Sequence, residues 1–307
     1  MAAAAVTALS AHGAVDASAV TSGALCLTFD DRNFDTWERC IPLFAKYGAH
    51  ATFFIWGPID AHAESCMRKL SAAGHSIGLH GFKHQEATDA FARLGEEGYI
   101  REEILPQLSV CCEKGLDVRS FAYPMSARTP ETDALLLRHF ARLRAGWGEV
   151  AGKSWGEKTP PFPVGESASR RVVVAQCGTN PPDMPERIAA MMPQIAASNL
   201  VLAVYAHDIE AEGRSHDDHN ITEEDLEKVL SAAKKAGVAV IGFDELPGGN
   251  ISSRRSKRRI LRRSKRRRST SRVSGYSPVS MGGYARYSRP SRRTGKAPRF
   301  SDSRSFC

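Results

Sequence analysis

Residues 24–31 read ALCLTFDD, an almost continuous apolar run that ends in two acids. A strand with one face in water alternates apolar and polar residues, whereas a run of this kind indicates a strand buried on both faces, as in a parallel sheet. Six further segments have the same character, so the chain offers seven candidate strands. These six are HATFFIWG (50–57), HSIGLHG (75–81), VRSFAYP (118–124), RVVVAQC (171–177), NLVLAVYAH (199–207) and VAVIGF (238–243).

Amphipathic stretches lie between these strands. The last of them opens with Thr222 and three acids, a helix-capping pattern, and is followed by Gly237, a common helix stop. Strand and helix alternate from about residue 24 to 247, which predicts an α/β fold, either a (β/α) barrel or a doubly wound sheet. The predicted helices cover 34–47, 61–73, 99–114, 129–140 and 222–236.

Charge is distributed very unevenly along the chain. Of its 42 Lys and Arg and 34 acids, residues 250–307 hold 19 basic residues and one acid, Asp302. Residues 1–249 therefore carry a formal charge of −10 and the remainder +18, which sum to the +8 of the whole chain. The basic isoelectric point thus describes the C-terminal segment, and the body is not expected to bind nucleic acid by its overall charge.

Three regions follow from these patterns. Residues 1–22 are Ala-rich and are interpreted either as the remnant of a secretory leader, which would lack the usual basic start, or as a disordered segment. Residues 23–248 are predicted to form the folded domain, and residues 249–307 a disordered Arg/Ser-rich tail. The tail repeats RRSKRR at 254–259 and 262–267 and has the charge to bind a polyanion such as nucleic acid, an acidic glycan or anionic lipid. A localisation signal and a solvated extension without a partner are the alternatives.

Three classes of protein are excluded by the remaining composition. The seven cysteines contain no C-x-x-C pair and are odd in number, so neither a disulfide framework nor a thiolate zinc site is expected. No apolar run reaches the 18 or so residues of a membrane span, and no transmembrane segment is predicted.

Ionisable residues follow three of the candidate strands. Asp30 and Asp31 end the first, His80 and His84 follow the third, and His207 follows the sixth. Each feature has a simpler interpretation on its own: a helix cap, two unrelated surface histidines, a hydrogen-bonded histidine at a strand end. The carboxyl ends of parallel strands converge, however, and two histidines with one carboxylate make an open three-ligand site for a catalytic metal. One carboxylate would remain as a base and one histidine as an acid.

The order of these motifs resembles the polysaccharide deacetylases, the NodB-like carbohydrate esterases. Their first motif is matched by Thr28–Asp31 and their second by Gly74-His75-Ser76-Ile77-Gly78 followed by His80 and His84. The segment FAYP at 121–124 resembles their third motif, and LVLAVYAHD at 200–208 their fifth. The resemblance covers about residues 24–247 and implies a distorted (β/α) barrel, here of about seven parallel strands.

The resemblance also implies a role for each matched residue. Asp31, His80 and His84 would bind a divalent metal, zinc on the family pattern, with Asp30 as general base and His207 as general acid. The main-chain N–H of Met125 would help to hold the oxyanion. The candidate substrate-binding residues are Tyr123, Trp147 and Trp155, the last two as an aromatic wall against a sugar ring. The expected reaction is hydrolysis of the acetamide of an N-acetylated glycan, which favours the cell envelope or the exterior as the location.

The sequence departs from the family pattern in four places. Arg32 stands where many relatives have Gly, Gly81 where Ser or Thr is usual, and Ala122 where many carry an Arg that supports the catalytic Asp. No fourth motif is found, and Arg32 is a candidate for the missing charge. Two alternatives therefore stay open: an amide hydrolase of a small non-sugar substrate, and an inactive metal-containing module that binds glycans.

Overall fold

The computed structural model describes residues 23–146, 161–211 and 219–248 of the chain. Twelve strands are found in these ranges, and all seven predicted strands are among them. They are β1 (Ala24–Asp31), β2 (Thr52–Ile55), β3 (Ser76–Leu79), β4 (Val118–Ala122), β5 (Arg142–Ala145), β6 (Phe162–Pro163), β7 (Val172–Val174), β8 (Gln176–Cys177), β9 (Leu200–Ala206), β10 (Ile209–Glu210), β11 (Ile221–Thr222) and β12 (Ala239–Ile241).

Helices connect most of these strands. Thr222 accepts a hydrogen bond from the N–H of Asp225 and Gly237 ends the last helix in a left-handed conformation, as its sequence predicts. The helices of the described ranges are α1 (Phe34–Arg39), α2 (Ile41–Tyr47), α3 (Ala61–Ala72), α4 (Ala87–Tyr99), α5 (Leu105–Lys114), α6 (Pro130–Leu136), α7 (Met184–Ala197) and α8 (Glu223–Ala236), with a π-helical turn at Ile100–Ile104. None of them has the length and apolar character of a membrane span.

The main sheet is parallel and curls into a distorted barrel. Its order is β6-β9-β1-β2-β3-β4-β5-β7, and every pair in it is parallel except β6 with β9. The predicted strand at 171–177 is broken at Ala175: its first part, β7, pairs with β5 and its second, β8, pairs with β9. This one segment therefore joins the two sides of the curled sheet. The predicted fold class, a distorted (β/α) barrel of about seven parallel strands, is confirmed.

Side chains of each strand alternate between two cores. On β1, Leu25, Leu27 and Phe29 belong to the large core that includes helix residues such as Trp37, whereas Ala24 and Cys26 belong to a smaller inner core. The alternation arises because successive side chains of a strand point to opposite faces of the sheet. By the same period of two, Thr28 and Asp30 lie on the inner face, so the side chain of Asp30 is directed to the inside of the barrel.

One parallel strand of the main sheet was not predicted from the sequence. The strand β5 reads RLRA, and all four of its residues are buried. Arg142 and Arg144 interrupt the apolar run that indicates a buried strand, and arginine is rarely buried completely. The predicted helix at 129–140 is correspondingly shorter and ends at Leu136. The helix predicted at 34–47 is divided at Cys40, and the second helix begins at Ile41 with Pro42 in its first turn.

Candidate active site

Three strands deliver ionisable side chains to the carboxyl end of the barrel. Asp30 and Asp31 are the last two residues of β1, His80 directly follows β3, and His207 directly follows β9. The strands β9 and β1 are direct neighbours, and β3 is separated from β1 by β2 alone. The structure therefore brings these predicted residues together at the edge where α/β barrels place their active sites.

Asp31, His80 and His84 form a group that could hold a metal ion. One ligand atom from each of the three lies within 4.8 Å of the others. Nε2 of His84 is 3.6 Å from Oδ1 of Asp31, and the two imidazole rings are 4.7 Å apart between centroids. Two imidazole nitrogens and one carboxylate oxygen are the donors of open catalytic zinc sites, in which a further position is left for water. The donor set thus fits a divalent cation.

The ring of His80 is held in the state that a metal ligand requires. Its Nδ1 lies 2.9 Å from the main-chain carbonyl oxygen of Ala122. Since a carbonyl oxygen only accepts hydrogen bonds, Nδ1 carries the proton and Nε2 presents its lone pair towards Asp31 and His84. Burial holds the pKa of His80 below its usual range, and the imidazole is therefore neutral near pH 7.

Backbone strain is concentrated around this group. Five non-glycine residues of the described ranges have a positive φ, and four of them are at the site: Asp31 (90°), His84 (55°), Met125 (48°) and Ser126 (62°). Residues other than glycine adopt this region only where the surrounding structure enforces it, at a cost of about 1–3 kcal/mol each. Such strain is typical of sites where the position of a side chain matters more than stability.

Asp30 is a buried carboxylate with a buried cationic partner. Its side chain is on the inner face of the barrel, and its Oδ2 accepts a hydrogen bond from the guanidinium of Arg144. Burial by itself raises the pKa of Asp30, but the charges of Arg144, His80 and His207 outweigh it and the net pKa lies below its ordinary value. Its Oδ1 accepts no hydrogen bond within the described residues and is available to take a proton.

Arg144 is the functional residue that the sequence interpretation missed. It lies on the unpredicted strand β5, is 1 % exposed, and its guanidinium is also 4.9 Å from the ring centroid of Tyr205. Arg32, the sequence candidate for a charge near Asp30, instead donates to the main-chain oxygens of Trp56 and Pro58. The sequence contains one signal for Arg144: it is a charged residue between two apolar ones, Leu143 and Ala145, in a short segment.

His207 lies on the other side of Asp31 from His84. Its Nδ1 is 3.4 Å from Oδ2 of Asp31, and its main-chain oxygen accepts a hydrogen bond from the indole N–H of Trp37. The ring of His207 stacks on that of His219, with centroids 4.7 Å apart and planes 14° from parallel. His219, the first described residue after position 211, is thereby placed against the candidate acid.

The remaining predicted site residues have different outcomes. Met125 lies in a short turn, Pro124–Ser126, directly after β4 and therefore at the same end of the barrel. Tyr123 is 1 % exposed and its hydroxyl donates to Asp133, and its role in substrate binding stays a prediction. Trp147 and Trp155 lie outside the described residues.

One family model and several known proteins are similar to parts of this chain. The family model described as "Polysaccharide deacetylase" matches residues 17–139. A chitin deacetylase of Arthroderma benhamiae is 32 % identical over 78 residues, 24 % of this chain and about a fifth (21 %) of that protein. A structure described as a T48 deacetylase with substrate has 18 % identity, covers 76 % of this chain and 94 % of its own, and has a TM-score of 0.48. BA3943 of Bacillus anthracis, described as a CE4 family pseudoenzyme, has 15 % identity, coverage of 74 % and 66 %, and a TM-score of 0.45.

The matched segment contains the acids at the end of β1 and both histidines of the candidate metal group. Through residues 17–139, the chain is similar to the polysaccharide deacetylase family.

Proposed function

We propose that this protein is a metal-dependent hydrolase, using zinc, that removes acetyl groups from the N-acetylated sugars of a polysaccharide. The observation that carries the proposal is the arrangement of Asp30, the group Asp31-His80-His84, and His207 at one end of the barrel. A base, a metal group and an acid are the parts that amide hydrolysis needs. The proposal is further supported by the similarity of residues 17–139, which contain four of these five residues, to the polysaccharide deacetylase family model.

Asp30 is the general base of this proposal. A metal held by Asp31, His80 and His84 would polarise the acetyl carbonyl and acidify a water molecule. Asp30 accepts the proton of that water through Oδ1, the oxygen that Arg144 leaves available. Because its pKa lies below the ordinary value, Asp30 is ionised at neutral pH and ready to accept.

His207 and the turn after β4 complete the reaction. The main-chain N–H of Met125 donates to the oxygen on which negative charge develops. His207 then gives a proton to the amide nitrogen as the C–N bond breaks, since an unprotonated amine is a poor leaving group. Water adds across the bond, and acetate and a free amino sugar are the products.

The direct test is acetate release from a panel of N-acetylated glycans by the zinc-loaded protein and by Asp30→Asn. We expect release by the natural protein and a loss of about 100-fold or more in the variant, the range of general acid–base catalysis. A small acetamide in the same panel distinguishes a polymer from a small amide as the preferred substrate.

A matched control is Asp35→Asn. Asp35 is an acid in the connection that follows β1, but its side chain is 88 % exposed and it pairs with His62 at the surface. We expect its activity to equal that of the natural protein. Zinc binding without acetate release from any substrate would overturn the enzymatic proposal and leave a glycan-binding module as the function to test.

We propose in addition that residues 250–307 bind a polyanion. The support is their composition, 19 basic residues against one acid, since clustered positive charge binds phosphate and sulfate polymers in a salt-dependent manner. The full chain and a chain ending at Gly248 are compared for retention on heparin and on nucleic acid. Earlier elution of the full chain, or equal elution of both, would contradict the proposal.

A further inference from the structure

The loop between the two metal-ligand histidines rests on one buried carboxylate. Only Gly81, Phe82 and Lys83 separate His80 from His84. The N–H of Lys83 donates to Oε2 of Glu103 at 2.9 Å, and the N–H of Phe82 donates to the main-chain oxygen of the same residue, also at 2.9 Å. Two of the three amides between the histidines are therefore held by Glu103.

Glu103 is buried even though it lies in a helical region. It is 1 % exposed, in contrast to the preceding Glu102, which forms a surface ion pair with the side chain of Lys83. The N–H of Gln85, just beyond His84, also lies against the carboxylate of Glu103. Glu103 thus contacts the loop on both sides of His84.

A local irregularity of the helix directs this carboxylate inward. Glu103 lies in the π-helical turn Ile100–Ile104, which joins α4 to α5. Pro106 follows in the next turn, and because proline has no N–H it cannot complete the regular hydrogen-bond ladder of the preceding turn. Single π-helical turns inside α-helices are often found at functional sites. In this turn the main-chain oxygen of Glu103 accepts the N–H of Phe82.

Gly81 and Glu103 fit one another. Gly81 has φ +83°, and a Cβ on it would lie 3.1 Å from Oε2 of Glu103. A side chain at position 81 would therefore both strain the backbone and press against the carboxylate. The space beside the histidine loop, where the family pattern has a Ser or Thr side chain, is occupied in this chain by Glu103.

The same helical region also holds the neighbouring strand end. The side chain of Gln107, one turn after Glu103, donates to the main-chain oxygens of Ile55 and Gly57, and the N–H of Gly57 donates to the oxygen of Gly81. The loop 81–83 is therefore attached through two routes to one helix. This matters because His84 has a positive φ of 55° and needs neighbours that enforce its conformation.

We propose that Glu103 is a positioning residue of the metal group: its carboxylate accepts the loop amides and thereby fixes the distance and direction of His84 relative to His80. The inference rests on the metal group of the proposed function. Groups that orient metal ligands without touching the metal typically change metal affinity by about 10- to 100-fold when they are removed.

The test compares two substitutions of similar size, Glu103→Gln and Glu103→Leu. Glutamine keeps an oxygen that accepts the Lys83 N–H, whereas leucine fills the space and accepts nothing. Zinc affinity is measured by competition with a chromophoric chelator, and the cobalt-loaded protein reports ligand geometry by its visible spectrum. We expect Glu103→Leu to lose about 10-fold or more in zinc affinity and Glu103→Gln to stay within about 3-fold of the natural protein.

Glu102 supplies the matched control. Glu102→Gln and Glu102→Leu make the same changes one residue away, in a side chain that is 26 % exposed, and we expect no change of zinc affinity. Equal zinc affinity in Glu103→Leu and the natural protein would overturn the proposal, as would equal losses in Glu103→Gln and Glu103→Leu. Should Glu103→Leu fail to fold, Glu103→Asp takes its place, because the shorter side chain withdraws the carboxylate from the loop while keeping its charge.

A second readout separates this inference from the metal assignment. In the metal-free protein, amide hydrogen exchange of residue 83 reports the hydrogen bond to the Glu103 carboxylate directly, and residue 82, whose N–H donates to the main-chain oxygen of Glu103, is the internal reference. We expect faster exchange at residue 83 in Glu103→Leu and not in Glu102→Leu. If the natural protein binds no zinc, the proposed function fails, yet the exchange result still decides whether Glu103 holds the loop.

Discussion

The two ends of the barrel contain the same kinds of side chains in opposite roles. Arg142 and Arg144 are two residues apart on β5, and both are buried. Arg142, nearer the amino end, donates to the main-chain oxygens of five residues: Ser167, Arg170, Phe243, Leu246 and Pro247. Arg144, nearer the carboxyl end, forms an ion pair with Asp30. One arginine satisfies the backbone, and the other lowers the pKa of a buried acid.

The histidines repeat this difference. His75 precedes β3 and its Nδ1 accepts a hydrogen bond from the main-chain N–H of Ala51, whereas His80 follows β3 and leaves Nε2 directed at the metal group. Residue type and burial are alike at the two ends. What differs is the partner: backbone groups at the amino end, other ionisable side chains at the carboxyl end. The end of the strand at which a residue lies, and not its type, therefore decides whether it pairs with backbone groups or joins the cluster of ionisable side chains.

The largest effect is expected from exchanging this pair of histidines for alanine. His80→Ala removes a metal ligand and should lower zinc affinity and acetate release by about 1,000-fold or more, because metal, water and base act together. His75→Ala should bind zinc normally and keep its activity, with a lower midpoint of thermal unfolding. Zinc titration, acetate release and calorimetry of both variants check this. Similar activity losses in folded His75→Ala and His80→Ala would abolish the distinction between the two ends.

The two arginines give the next largest effect. Arg144→Met should lower acetate release by about 100-fold with little loss of zinc affinity, because Asp30 loses the charge that keeps it ionised. Without Arg144 the pKa of Asp30 rises, so the acidic limb of the activity profile moves to higher pH. Arg142→Met should keep the activity profile and lower the free energy of unfolding by about 3 kcal/mol, since five carbonyl oxygens lose their donor.

Denaturant unfolding measures the free energy of unfolding of both arginine variants, and acetate release at several pH values measures their activity profiles. An activity profile that shifts in Arg142→Met, or fails to shift in Arg144→Met, would show that the two arginines do not divide stability and chemistry in this way.

Much of the fold could be predicted because burial leaves a pattern in the sequence. All seven apolar runs are strands, and the three that end in Asp or His meet at one edge. The strand β5 was missed because its two arginines break the apolar run, although both are buried. Periodicity detects burial by the absence of charge, so it fails where a charge is buried with its partner.

The missed parts of the site have the same origin. The partner of Asp30 is Arg144, 114 residues away, and nothing near Asp30 in sequence indicates it. Glu103 likewise looks like one more acid in a polar helix turn, because its burial depends on a loop 20 residues earlier. The metal group was predictable since its spacing repeats a known motif, whereas the residues that support it are specified by tertiary contacts alone.

The pH dependence of stability gives a smaller difference between the two ends of the barrel. Burial, and then the charge of His50, lowers the pKa of His75 from 6.5 to about 4. The unfolded chain therefore binds more protons than the folded one between these values, and stability falls as the pH drops from 6.5 towards 4. Between pH 7 and 5 the natural protein should lose about 2 kcal/mol more than His75→Phe. Urea unfolding at several pH values measures this, and parallel curves for the two proteins would contradict it.

The smallest expected effect concerns two pairs of histidine rings. At the carboxyl end His207 stacks face to face on His219, at 4.7 Å and 14°, whereas at the amino end His50 and His75 meet edge to face, at 6.0 Å and 83°. The main-chain oxygen of His219 also accepts the N–H of His207 at 2.7 Å, a bond that survives any substitution of the side chain. A contribution of His219 to catalysis beyond this bond must therefore come from its ring.

His219→Ala should lower kcat by about fivefold to tenfold at unchanged KM, the size of a ring-stacking contribution of about 1 kcal/mol. His219→Phe retains a planar ring and should recover most of kcat, and His50→Ala, at the other end of the barrel, should leave kcat unchanged. Steady-state kinetics of the three variants separates the possibilities. If His219→Phe is as slow as His219→Ala, a ring nitrogen of His219 is required and stacking alone does not explain its position beside His207. If neither is slow, the main-chain bond is enough to orient His207, and the difference between the two pairs of rings is one of packing only.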